Sequence, residues 1–143
     1  MFRVTRRYQF AASHRLHSDS LSEEENYQVY GKCNNPYGHG HNYVLHLSAR
    51  GPADPAGIAA HIGSLDELVA QQVLNPFDHR NLNTEVPWGK PVVPTSEILA
   101  IEICRRLKQN WSKVFEGPWP KLEKVRIEET PRNIFEVSAD EIE

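Results

Sequence analysis

The stretch Cys33–Tyr43, CNNPYGHGHNY, carries a thiol and two imidazoles. His39 and His41 are two residues apart, and on an extended strand such residues point to the same side, about 6.5–7 Å apart along the backbone. Both imidazoles can therefore be aimed at one point. A third, His14, ends an upstream segment in phase with the apolar face of that segment. Three neutral imidazoles suit Zn2+ and leave one coordination position for water or substrate. Cys33 admits two readings. As a fourth ligand it closes the site into a structural one; as a free thiol beside an open metal site it is reactive, because a nearby cation favours the thiolate. Small structural zinc sites draw ligands in close pairs such as Cys-x2-Cys, and this chain has none, which favours the reactive thiol.

Two further groups suit proton transfer and recognition. FDHRN sets Asp78 beside His79, where the carboxylate can orient the imidazole for proton exchange if a loop lets both act together; a loop ion pair is the ordinary alternative. In VRIEET, Val125, Ile127 and Glu129 share one strand phase, while Lys124, Arg126 and Glu128 share the other. Glu129 thus follows the inward face. Its two oxygens can accept from an N–H and an amino group side by side, or it forms a buried ion pair with Arg or Lys. His17, His46 and His61 read as structural histidines. His46 falls in the outward phase of its strand and serves as an internal control.

The elements that must hold these groups are legible as periods. From Phe2 to His14 apolar residues alternate, apart from Arg6, so a strand is expected there; a second runs from about His39 to Arg50. SLDELVAQQVLNP reads as a helix opened by a Ser64–Glu67 capping box and followed by Pro76. PTSEILAIEICRRLKQNW is a second helix, with Leu99, Ile103, Leu107, Trp111 and Val114 about a turn apart and Thr95 or Ser96 as N-cap. KLEKVRIEET and NIFEVS close the chain as two strands. The order β-β-α-α-β-β implies an α+β fold, an antiparallel sheet with two helices on one face. The other face then needs a different cover, such as another subunit.

At 143 residues, with 39% hydrophobic and 24% charged residues, the chain has the size and composition of one soluble domain, taken as 1–143. A net charge of −3 and a pI near 6.2 argue against a general nucleic-acid binder. No apolar run approaches a membrane span, and MFRVTRRYQF lacks the apolar segment of a signal peptide, so a cytoplasmic protein is expected. The two cysteines, Cys33 and Cys104, are then expected as free thiols, with Cys104 a packing residue in ILAIEICRRL.

FAASHRLHS, SEEENYQVYGKCNNPYGHGHNY, NPFDHRNLN, VPTSEILA and RIEET together resemble the 6-pyruvoyl-tetrahydropterin synthase family, in order and over nearly the whole chain. The resemblance implies the tunnelling fold, whose subunits join edge to edge into a trimeric barrel and stack as a homo-hexamer. It implies a carbon–oxygen lyase that takes 7,8-dihydroneopterin triphosphate to 6-pyruvoyl-tetrahydropterin with loss of triphosphate, without an external redox cofactor. By the same resemblance, His14, His39 and His41 match zinc ligands and Cys33 matches the general base. Asp78 and His79 match its relay partners across a subunit interface. Glu129 matches the pterin-anchoring carboxylate, and Thr95 and Glu97 fall where the family lines the pterin pocket. Arg15, Lys32 and Arg80 are candidates for the triphosphate.

Some positions depart from the family pattern: His61 in GIAAHI, Ser96 for a usual Thr, and Pro131-Arg132 after EET. None removes a group the chemistry needs. The sister enzyme, 6-carboxy-tetrahydropterin synthase, usually has three residues between its cysteine and its His-x-His run; this chain has five (Asn34 to Gly38). That gap and the long segment before Cys33 favour the pyruvoyl enzyme. A non-enzymatic zinc module with Cys33 as fourth ligand is the alternative from another class.

Overall fold

The computed structural model describes residues 1–53 and 61–143. Strand β1 (Phe2–His14) runs antiparallel to β2 (His39–Gly51), β2 to β4 (Lys121–Glu128), and β4 to β5 (Ile134–Ser138). The two-residue β3 (Arg80–Asn81) pairs with Ala12 and Ser13 of β1 in parallel, giving the order β3-β1-β2-β4-β5. The expected all-antiparallel sheet is therefore corrected to a mixed one. Two residues after a loop carry no periodic signal, and only their place beside β1 makes them a strand.

Alternation decides which strand face is buried. Phe10, Ala12 and His14 of β1 face inward with Tyr43, Leu45 and Leu47 of β2 and Val125 and Ile127 of β4, each at most 5% exposed. Two helical layers cover them. The first is α2 (Ile62–Val69), continued by a π-helical turn (Ala70–Leu74) and a last turn α3 (Asn75–Phe77); the second is α4 (Ser96–Val114). Leu65, Leu68, Val69, Val73 and Phe77 come from the first layer, and Leu99, Ile103, Cys104 and Leu107 from the second. Burying each large aliphatic side chain contributes about 1.5–3 kcal/mol. Cys104 is fully buried, which pushes its thiol up to about 11. Arg6, the one break in the β1 pattern, reaches Asp66 of α2 (Nη2–Oδ2 2.7 Å), and the Tyr8 hydroxyl donates to the same carboxylate.

The opposite sheet face is polar. Thr5 and Ser48 pair hydroxyls, Arg3 meets Glu123, Lys124 meets Glu136, and His46 meets Glu128. No helix among the described residues is long and apolar enough to cross a membrane.

Three helix expectations change. SEEENYQVY, in the long segment before Cys33, contains a helix without an apolar period, α1 (Glu23–Tyr30), with a capping box between Ser22 and Glu25. Only Asn26 of α1 is buried, so the helix has no apolar stripe to betray it. The Ser64–Glu67 capping box does not form, because the backbone is already helical at Ile62 and His61 takes the N-cap without a side-chain bond. Ile62 lines a small apolar cavity together with Val4, Leu65, Trp111 and Phe115. Pro76 lies inside the last turn, not beyond it; the π-helical turn just ahead rearranges the hydrogen-bond ladder where a proline cannot donate. Of the two expected N-caps, Thr95 caps α4, accepting from the Ile98 N–H at 3.3 Å, and Ser96 is the first helical residue. Of GIAAHI, residues 57–60 lie outside the described residues, whereas the departing residue itself, His61, is described.

Candidate metal centre and active site

Register brings the imidazoles together. In the β1–β2 ladder His14 lies opposite His39, and Ala12 opposite His41. All three side chains project from the inner face at one end of the sheet. Gly38 makes the entry to β2 possible: its φ is +73°, and a Cβ there would stand 3.0 Å from the His14 carbonyl oxygen. Ring centroids are 4.6 Å apart for His14 and His39, 4.7 Å for His39 and His41, and 5.1 Å for His14 and His41. One ligand atom from each of these rings and one from Glu129 lie within 4.8 Å of one another. Cys33 is not a member of this group.

The donor set fits a cation. His14 Nδ1 is 2.7 Å from the Pro94 carbonyl, which can only accept, so Nδ1 carries the proton and Nε2 offers its lone pair to the cluster. That nitrogen faces His39 Nε2 at 3.0 Å. His41 Nε2 is buried without a hydrogen-bond partner, although Glu129 Oε1 is 3.2 Å away. Burial holds His14 and His41 below the ordinary histidine range, with Glu129 opposing the shift in both. Neutral, inward-pointing imidazoles are what a divalent ion requires. The carbonyl of Pro94 was invisible in the sequence, since any residue there supplies one.

Glu129 lies one residue beyond β4, its N–H bonded to the Asn133 carbonyl at 3.0 Å. Its carboxylate turns to His41 and His14, while Glu128 turns outward to His46 at 3.1 Å and Arg126 at 3.6 Å. Tyr43, stacked on Phe10, is buried beneath the cluster, its hydroxyl beside the buried hydroxyl of Ser96. Burial pushes the Tyr43 phenol up, and Glu129 pushes the same way. Periodicity identified both residues as inward or capping, but nothing in it marked their hydroxyls. Thr95 spends its hydroxyl on the cap of α4, and Glu97 is exposed in the first turn.

The other expected groups are not part of the metal-binding set. Cys33 is half-buried in a 3-10 turn (Gly31–Asn34), its carbonyl accepting from the Leu16 N–H at 2.9 Å. Asp78 and His79 lie together in a loop: His79 Nδ1 is 3.0 Å from Asp78 Oδ1, which also accepts from the Ala11 N–H at 2.9 Å. His79 takes a φ of +59° and donates its own N–H to the Ala11 carbonyl, presenting a ring that is 82% exposed. No hydrogen bond joins the Cys33 thiol to either residue among the described ones. A cleft of about 380 Å³ is lined by His41, Asn42, His79, Arg80 and Glu85. A second, of about 620 Å³, is lined by Arg15, Lys32, Tyr27 and Asn34. His17 pairs with Asn34 at 3.0 Å, a structural role, and His61 packs edge-on to Phe115.

Comparison with known proteins gives a consistent result. The family model for 6-pyruvoyl tetrahydropterin synthase matches residues 3–140. The 6-pyruvoyl tetrahydrobiopterin synthase of Homo sapiens is 43% identical over 132 residues, covering 92% of this chain and 87% of the human protein. That of Poecilia reticulata is 44% identical over 132 residues, covering 92% and 86%. The structure of Caenorhabditis elegans 6-pyruvoyl tetrahydropterin synthase is similar with a TM-score of 0.84 at 43% identity, over 96% of this chain and 94% of the other. The Plasmodium falciparum structure, at 17% identity and a TM-score of 0.58 over 95% and 96%, shares the fold.

Proposed function

The chain belongs to the 6-pyruvoyl tetrahydropterin synthase family, and from that premise we propose that it converts 7,8-dihydroneopterin triphosphate to 6-pyruvoyl-tetrahydropterin with release of triphosphate. The observation that carries the chemistry is the set of three imidazole nitrogens converging beside Glu129 at one end of the sheet. His14, His39 and His41 hold zinc in this reading, and the ion supplies Lewis acidity to the side-chain oxygens of the substrate.

The remaining work falls to the chain. Glu129 accepts hydrogen bonds from the ring N–H and amino group of the pterin, with Thr95 and Glu97 at the start of α4 flanking it. Cys33 removes a proton from the substrate side chain. His79 Nδ1 is held by Asp78, so its Nε2 is the atom free to exchange that proton with the thiol. The backbone ties Cys33 to Leu16 and His79 to Ala11, five positions apart along the chain, and no hydrogen bond joins them. Assembly supports the missing contact: Cys33 of one subunit meets Asp78 and His79 of the next. Two open sheet edges favour such an arrangement, because β3 covers β1 only at Ala12–Ser13 and β5 ends the sheet. We accordingly read 1–143 as one such domain, assembled as a homo-hexamer whose sheets close into a barrel. Arg15 and Lys32, sharing the larger cleft, are the cations best set to receive triphosphate, whereas Arg80 already faces Glu85 at 3.8 Å. A working thiol and a second free cysteine suit a reducing compartment, and we place the enzyme in the cytoplasm.

The test is to incubate the zinc-loaded protein with dihydroneopterin triphosphate and identify the pterin formed. A pyruvoyl product is expected. A carboxylated pterin would transfer the chain to the sister activity, and zinc binding without turnover would leave a binding module.

A further inference from the structure

Glu129 is surrounded in a way that anchoring a pterin does not account for. Its side chain is 14% exposed, and no Lys or Arg among the described residues lies within ion-pairing distance. Its neighbours are His41 Nε2 at 3.2 Å and His14 Nε2 at 3.6 Å. The His14 nitrogen has no proton to offer, because the ring's proton is on Nδ1 and goes to Pro94. A carboxylate oxygen and an imidazole lone pair therefore face each other at 3.6 Å in a largely buried setting, two acceptors in apposition. A shared cation removes the conflict. In a tetrahedral zinc site with bonds of about 2.0–2.1 Å, ligand atoms stand about 3.3 Å apart. Three of the six separations bracket that spacing, His14–His39 at 3.0 Å, His41–Glu129 at 3.2 Å and His14–Glu129 at 3.6 Å, and all four atoms lie within 4.8 Å of one another.

We propose that Glu129 is the fourth metal ligand of the resting protein and that pterin binding exchanges it off the metal. The inference builds on the reading of Glu129 as the pterin carboxylate and gives that residue two partners in turn. Without substrate, Glu129 closes the coordination shell. When the N–H and amino edge of a pterin claims its oxygens, the carboxylate–metal bond breaks and one coordination position opens for the substrate side chain. No electron changes hands, and the metal exchanges one oxygen donor for another. The ion is thus exposed only once the ring that must react is seated.

Cobalt(II) in place of zinc makes this readable without turnover. Zinc affinity is measured by chelator competition in the wild type, Glu129→Gln, and Glu128→Gln as the outward control. Visible spectra of the cobalt forms are recorded with and without neopterin, whose binding is followed separately by fluorescence. Glu129→Gln is expected to weaken zinc about tenfold or more and to alter the cobalt band, while Glu128→Gln changes neither. In the wild type neopterin shifts the cobalt band; in Glu129→Gln it does not. Equal zinc affinity and an equal spectrum in Glu129→Gln overturn the ligand role. Neopterin that binds the wild type without moving the cobalt band overturns the exchange. Because affinity and resting spectrum are read without substrate, they stand or fall separately from the identity of the product.

Discussion

Two histidine–glutamate pairs are built from the same strands, five residues apart on β2 and adjacent at the end of β4, and they do different things. His46 and Glu128 sit on the outer face, about a quarter exposed, where Arg126 completes an ordinary charge cluster. His41 and Glu129 sit on the inner face, where two more imidazoles join them and, among the described residues, one nitrogen lacks a partner and no Lys or Arg pairs with the carboxylate. Residue types do not distinguish the pairs. Strand parity does, followed by what register brings alongside. On the outer face Arg126 and solvent exposure suit each group, whereas burial on the inner face crowds lone pairs that a shared cation would reconcile.

The sharpest break of this comparison is His39→Ala against His46→Ala. The first should lose zinc and lower turnover by about 10³-fold or more, the effect of removing several kcal/mol of Lewis-acid stabilisation. The second should keep both, as measured by metal content and pterin formation. Next in size, Cys33→Ala should retain zinc and lose about 10²–10⁴-fold in turnover, as expected for a missing general base. An intense thiolate-to-cobalt band in the resting protein, together with metal loss in Cys33→Ala, would return Cys33 to the ligand set.

A smaller contrast separates the neighbouring carboxylates. Glu129→Gln should reduce kcat/KM about 10–100-fold, the loss of a charge-assisted hydrogen bond of about 1.5–3 kcal/mol, whereas Glu128→Gln should remain near wild type. The smallest effect lies at Asp66, far from the site. Its carboxyl is held below the ordinary 3.8, first by Arg6 and then, against burial, by Tyr8. A depressed carboxyl stabilises the fold above its unfolded value and loses that contribution as pH falls through the folded one. The pair is partly exposed, so Asp66→Asn should cost under about 1 kcal/mol at neutral pH. In denaturant titrations the gap between the two proteins should narrow below pH 3.8.

Much of this was legible in the chain itself. Period-two alternation set the inward phase of His14, His39 and His41 and the outward phase of His46, because successive side chains on a strand must point to opposite faces. The same parity separated Glu129 from Glu128, and Thr95 announced the start of α4 by its chemistry. Helix α1 carries its own start signal in Ser22 and Glu25, but only Asn26 of it is buried, so it has no apolar stripe at helical spacing.

Tertiary structure decided the rest, because convergence depends on pairings between residues distant in sequence. Only the register of β1 against β2 sets His14 opposite His39, and only the approach of the segment before α4 gives His14 a carbonyl to fix its tautomer. The loop after β4 turns Glu129 into the imidazoles, a placement that no local pattern encodes. The short β3 and the π-helical turn have the same origin: each exists because of what packs beside it. Sequence determined which side chains could meet, and packing determined that four of them do.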